Sequence, residues 1–117
     1  RGNKYRTGSL GMTLLSSEVG EIALPTEFRV SPNYPNPFNP STSIDIETVT
    51  TGELLVHVYD ISGRIVNTLV NKNMNPGYYT VKWNGQNNRG EMMPTGIYFI
   101  QVESGNQIKR LKSILIK

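Results

Sequence analysis

No stretch of this chain keeps apolar residues at the i, i+3, i+4 and i+7 positions of a helix face without a glycine or proline breaking it, so α-helix is disfavoured from end to end. What is left are short runs rich in Val, Ile, Tyr and Thr, punctuated from Phe28 onward by Gly, Asn and Pro at spacings of about 8 to 12 residues. That texture predicts an all-β domain. A length of 117 residues gives room for one core and not two. A chain that is 37% hydrophobic and 18% charged is too apolar for a disordered polymer. Apolar runs such as residues 54–56 and 114–116 fall far short of the roughly 18 residues a spanning helix needs, so no membrane-spanning segment is expected.

The strands follow from alternation. Residues 28–30 make a short first strand ended by Pro32, and Pro35, Pro37 and Pro40 then hold residues 33–40 extended while removing ladder donors, as a rigid edge or loop. Ile44 and Ile46 alternate with Ser43, Asp45 and Glu47, and Leu54, Val56 and Val58 alternate with Leu55, His57 and Tyr59. Asp60, Ser62 and Gly63 supply a hairpin turn into residues 64–70. A turn over residues 71–77, broken by Pro76 and Gly77, leads to Tyr79, Val81 and Trp83 pointing inward. A polar, glycine-bearing loop over residues 84–96, a strand at 97–103, a turn at 104–106 and a last strand at 107–116 complete seven strands. These fit an Ig-like antiparallel β-sandwich with Ile44, Ile46, Val56, Val58, Val66, Val81, Trp83 and Phe99 in its core.

Composition removes most catalytic classes. Without cysteine there is no disulfide, thiol nucleophile or cysteine-rich zinc site, and His57 is the one histidine from which a triad or metal centre would have to be built. His57, Ser62 and Asp60 offer the residue types of a triad, but alternation turns His57 outward and no glycine-rich oxyanion loop adjoins it. Tyr78, Tyr79 and Trp83 resemble a sugar platform only until two of them are assigned to the core face. Asp45, Glu47 and Glu53 are too scattered to ligate calcium, and no cofactor is expected. The net charge of +3 is spread out except for Lys109, Arg110 and Lys112, which interleave with Ile108, Leu111 and Ile114 as the polar face of a strand, so nucleic acid is not an expected partner.

Five blocks carry a family likeness. Tyr34-Pro35-Asn36-Pro37-Phe38-Asn39-Pro40, then Val58-Tyr59-Asp60 through Gly63-Arg64 to Val66, then Trp83-Asn84-Gly85, Gly96-Ile97-Tyr98-Phe99 and the closing residues 112–117 resemble, in order and spacing, the type IX secretion system type A sorting domain. The flagellar hook-cap Ig-like domain is similar. The resemblance covers residues 28–117 and implies a non-catalytic C-terminal sandwich that an outer-membrane secretion apparatus reads, so that the product is exported across the outer membrane and becomes extracellular or attached to the cell surface. On that reading recognition falls to Asn36, Pro37, Phe38, Asp60, Gly63, Arg64, Gly96, Tyr98, Lys112 and Lys117, the last strand and Lys117 standing where the family has its exposed signal.

Residues 1–27 lie outside the resemblance and carry glycines at 2, 8, 11 and 20 with little periodicity, as an extended N-terminal arm or linker. The chain opens on Arg1 with no apolar signal region before the domain, which is expected of a processed or truncated product. Two apolar patches in the arm, with Met12, Leu14 and Leu15 in one and Ile22 and Leu24 in the other, suit strand addition to the open sheet edge of an identical subunit. Donor and acceptor surfaces would then differ, and the contact would propagate as an extracellular filament unless its rotation closed a ring; the alternative is an arm that folds back along its own domain.

Overall fold

The computed structural model describes residues 23–117. Seven strands run in chain order: β1 (Arg29–Val30), β2 (Thr42–Thr48), β3 (Gly52–Tyr59), β4 (Ile65–Met74), β5 (Gly77–Trp83), β6 (Gly96–Ser104) and β7 (Gln107–Leu115). They form two antiparallel sheets, one ordered β1-β2-β5 and the other β4-β3-β6-β7. The fold is therefore the Ig-like sandwich expected from alternation.

Each sheet turns every second side chain inward. From the smaller sheet come Ile44, Ile46, Val81 and Trp83; from the larger, Leu54, Val56, Val58, Tyr98, Ile100, Val102 and Leu115, all buried. Burying such a side chain is worth about 1.5–3 kcal/mol each, which makes this face-to-face contact the main source of stability. At one end the core is aromatic: Trp83 lies 5.2 Å from Phe38 and 5.2 Å from Tyr98, both rings tilted against the indole. Tilted aromatic pairs contribute about 0.5–1.5 kcal/mol beyond the area they bury.

Two expectations are corrected. Phe99 is half-buried on the outer face, and Tyr98 holds the interior position instead. Residues 97–100 are all apolar, so their own alternation favours neither face; pairing with β3, which sets Val56 opposite Val102 and Val58 opposite Ile100, decides it. Residues 71–74 belong to β4 and not to a turn, because Leu54 and Leu55 of β3 pair with Lys72 and Asn71. The reversal itself is confined to Asn75 and Pro76. Register shifts between Val56 and His57 and between Val58 and Tyr59 leave Leu69 and Val66 as extra residues on β4, and such bulges twist an edge strand away from flat pairing.

Candidate recognition surface

Between β1 and β2 the chain leaves one sheet and crosses to the other. Ser31 and Tyr34 still bond to β2, through Ser31 N to Asp45 O at 2.9 Å and a reciprocal Tyr34–Ser43 pair at 2.9 and 3.0 Å. By Phe38 the chain runs parallel to β7: its amide donates to Ile114 O at 2.8 Å, and its carbonyl accepts from Ile116 N at 3.0 Å. Prolines suit this strap, since each removes a donor that a crossing chain has no ladder to satisfy.

Three side chains anchor the strap. Asn33, only 4% exposed, donates to Thr42 Oγ1 of β2 at 3.1 Å and to Ser113 Oγ of β7 at 2.9 Å, spanning both sheets. Thr42 in turn donates to Pro35 O at 2.7 Å, so the buried polar groups satisfy one another. Asn36 donates to Lys112 O at 3.1 Å and accepts from Ile114 N at 3.0 Å, taking the place of one residue of a neighbouring strand. Phe38, 1% exposed, inserts against Trp83. Gly85 backs the same corner with φ +77°; a Cβ there would stand 3.2 Å from Pro40 O and 3.5 Å from Leu115 Cδ1, so both the backbone and the space favour glycine.

Two turns of one design follow β3 and β5. In Asp60-Ile61-Ser62-Gly63-Arg64, Asp60 Oδ1 accepts from the amides of Ser62 and Arg64 at 2.9 and 3.0 Å and from Ser62 Oγ at 2.6 Å. In Asn87-Asn88-Arg89-Gly90-Glu91, Asn87 Oδ1 accepts from the amides of Arg89 and Glu91, each at 2.9 Å. Both fourth positions are glycine at positive φ, +88° and +81°, which other residues rarely adopt. Both fifth residues return to the first: Arg64 donates to Asp60 Oδ2 at 3.1 Å, and Glu91 accepts from Asn87 Nδ2 at 2.8 Å. The turns line one open groove with Ile65, Val66 and Met93. Asn88 fastens the second turn to β4, donating to Val66 O and accepting from Thr68 N, each at 3.1 Å.

Hydrogen bonding by Ser62 is the main reason that the Asp60 carboxyl is held at about 2, with the Arg64 and Ser62 amides and the Arg64 charge acting in the same sense against some desolvation. The Tyr98 hydroxyl, which donates to Pro94 O at 2.7 Å, is pushed up by burial and by the charge of Asp60. Asp60 thus works as the clamp of its own turn, leaving the Arg64 side chain 83% exposed.

The residues expected to carry recognition separate into two groups. Asn36, Pro37, Gly63, Arg64, Lys112 and Lys117 are at the surface, and Gly96 is half-buried opposite Leu115 at the start of β6. Phe38 and Tyr98 are core residues, so a partner cannot touch them without unfolding this end, which corrects their expected place in a contact surface. All the blocks nonetheless adjoin one another: the strap meets β7, Phe38 meets Trp83, Trp83 meets Tyr98, and Tyr59, next to Asp60, pairs with Phe99. The second turn and Asn33 were missed by sequence reasoning; the shared Asp/Asn-x-x-Gly-x spacing at 60–64 and 87–91 is the signal that finds the turn. Of the arm, Leu24 is 64% exposed, whereas Met12, Leu14, Leu15 and Ile22 lie outside the described residues. His57 bonds Thr68 Oγ1 at 3.1 Å, and among the described residues no group of three acidic or histidine side chains is placed to hold a metal.

Two antiparallel sheets joined at their edge by a crossing strap define an Ig-like β-sandwich module. The family model of the FlgD Ig-like domain matches residues 36–107, more than half of the chain, and the chain belongs to that family. Among solved structures it is similar to dimeric latent PorU from Porphyromonas gingivalis, at 24% identity and a TM-score of 0.57 over 84% of this chain and 10% of that one. It is also similar to FlgD from P. aeruginosa, at 24% identity and a TM-score of 0.46 over 64% of this chain and 60% of that one. PorZ, a bacterial surface component of the type IX secretion system of P. gingivalis, is 22% identical with a TM-score of 0.48 over 77% of this chain and 11% of that one. The PorU likeness speaks to the fold, and the chain spans about a tenth of PorU's length. No curated protein sequence matches it.

Proposed function

We propose that this chain is a non-catalytic β-sandwich module that an outer-membrane secretion apparatus reads for export and surface attachment, so that it works outside the cell. The supporting observation is the double hydrogen bond of Asn36 to β7, which makes the strap and the C-terminal strand one continuous surface. Two of the sequence blocks that resemble a sorting domain therefore offer a single face, with Pro37, Lys112 and Lys117 exposed on it. Such a face suits recognition by a protein, because it is rigidly backed by the core and carries cations at its rim.

The test is export. The full chain, fused behind a reporter enzyme in a bacterium with a type IX secretion system, is expected to place the reporter on the cell surface. Pro37→Ala with Lys112→Ala and Lys117→Ala should leave the circular dichroism spectrum unchanged and trap the reporter inside the outer membrane. A reporter retained with the native chain overturns the proposal, as does full export with the triple variant.

A further inference from the structure

The outer edge of β7 is only half occupied. Its even-numbered residues turn their backbone groups away from β6, and the strap takes those of the far half: Lys112 O, Ile114 N and O, and Ile116 N. Toward the Gly105–Asn106 turn the same edge continues with the amides and carbonyls of Ile108 and Arg110 and the amide of Lys112, which have no hydrogen-bond partner among the described residues. These five groups keep the spacing of a β ladder, and the strap has already set its register.

The seam between the sheets is open along this half. Thr26, Glu27, Phe28 and Val49 from the smaller sheet's side face Gln107, Ile108 and Lys109 across a groove. Phe28 is 7% exposed and already packed in the core, so a side chain entering the groove meets an apolar neighbour. Charge on this edge has one sign. Lys109, Arg110 and Lys112 form no ion pair among the described residues, while nearby Glu27 is taken by Arg29 and Glu103 accepts from Gln101. Arg110 is turned onto the outer face by its two bonds to Gln101 Oε1, at 3.2 and 2.5 Å.

We propose that residues 108–112 of β7 accept an extended acidic segment of a partner protein by strand addition, with acidic side chains beside Arg110 and Lys112 and alternate apolar side chains over Phe28 and Val49. The pleat assigns the faces: residues opposite Ile108 and Arg110 share their outer face, and residues opposite Lys109 point over the groove. A second copy pairing β7 to β7 would set Lys109 and Arg110 of each chain against those of the other, and like charges across a ladder are destabilising. An acidic strand has the opposite balance. This edge exists whether or not the chain is an export module.

The probe is an acetylated, amidated peptide of four Glu-Val repeats, with four Lys-Val repeats and an N-methylated Glu-Val peptide as controls, added to the full chain. The acidic peptide should slow hydrogen exchange at the amides of Ile108, Arg110 and Lys112 by about tenfold or more, and the controls should bind about tenfold more weakly or not at all. Ile108→Pro removes an outward donor and no bond to β6, a position where an edge strand tolerates proline. It should keep the circular dichroism spectrum and lower acidic-peptide affinity about tenfold. The double variant Arg110→Glu and Lys112→Glu should reverse the preference toward the basic peptide. Absence of protection at these amides overturns the proposal, as do equal binding of both peptides and protection on β4 or β5 alone. Protection without peptide at the mass of a dimer assigns the edge to a second copy and overturns it too.

Discussion

Asn36 and Ile114 stand 78 positions apart in the chain, and the side-chain carbonyl of the first accepts the amide hydrogen of the second at 3.0 Å. With the return bond to Lys112 O, a single side chain gives β7 what a neighbouring strand's backbone would give it. Replacing Asn36 by Ala should cost about 1–2 kcal/mol, two modest hydrogen bonds near the surface. Thermal denaturation checks the cost. Exchange at the Ile114 amide should quicken while the Ile100 amide, inside the ladder, stays as it is.

Asn33 should matter more than Asn36, because its partners are buried. Removing its amide leaves Thr42 and Ser113 each short of a donor at positions 2% and 0% exposed. Asn33→Ala is expected to cost about 2–3 kcal/mol, and Ser113→Ala less, since Asn33 would still bond Thr42. Chemical denaturation of both variants ranks them, and the reverse order would contradict the spanning role given to Asn33.

Trp83 combines ring packing with a bond from Nε1 to Gln86 O at 2.9 Å. Trp83→Ala should cost about 3–5 kcal/mol. Trp83→Phe should cost less, because Gln86 O also accepts from Asn67 Nδ2 at 2.7 Å and is not orphaned. A denaturation midpoint unchanged in the alanine variant would rule out the register that buries this ring.

The Asp60 clamp makes a pH prediction. Its carboxyl titrates at about 2 in the fold and near 3.8 without its partners, so the stabilisation is complete above 3.8 and disappears as the pH falls toward 2. Stability measured between pH 5 and 2 should therefore fall over that window, on top of what other carboxylates contribute. Asp60→Asn should flatten this component while keeping the turn, because Asn87 already performs the same capping with an amide.

Much of this architecture was legible in the sequence. Ile44, Ile46, Val56, Val58, Val81 and Trp83 sit where strict alternation puts them, because each lies on a strand with polar or half-exposed residues between. Where alternation fails, so does the reading. Tyr98 and Phe99 lie in a wholly apolar run, and only the partner strand decides which goes inside. Residues 71–74, the first three of them polar, read as part of a turn, yet an edge strand needs a pairing partner on one side only. Asn33 was invisible for a different reason: its role is a contact with Ser113 across 80 positions, and no local pattern encodes that. The adjacency of the blocks has the same origin, since each block is local and their meeting is not.

The strap is made early in the chain, but its seat is made late. The Asn36 side chain and the Phe38 backbone find their hydrogen-bond partners in residues 112–116, so a chain emerging from the ribosome cannot fasten the strap until that last strand is free. Contacts this distant in sequence also form slowly, because the loop between them must be closed before they yield any stabilisation. During synthesis the strap therefore waits unseated, and the nascent domain remains threadable until β7 arrives.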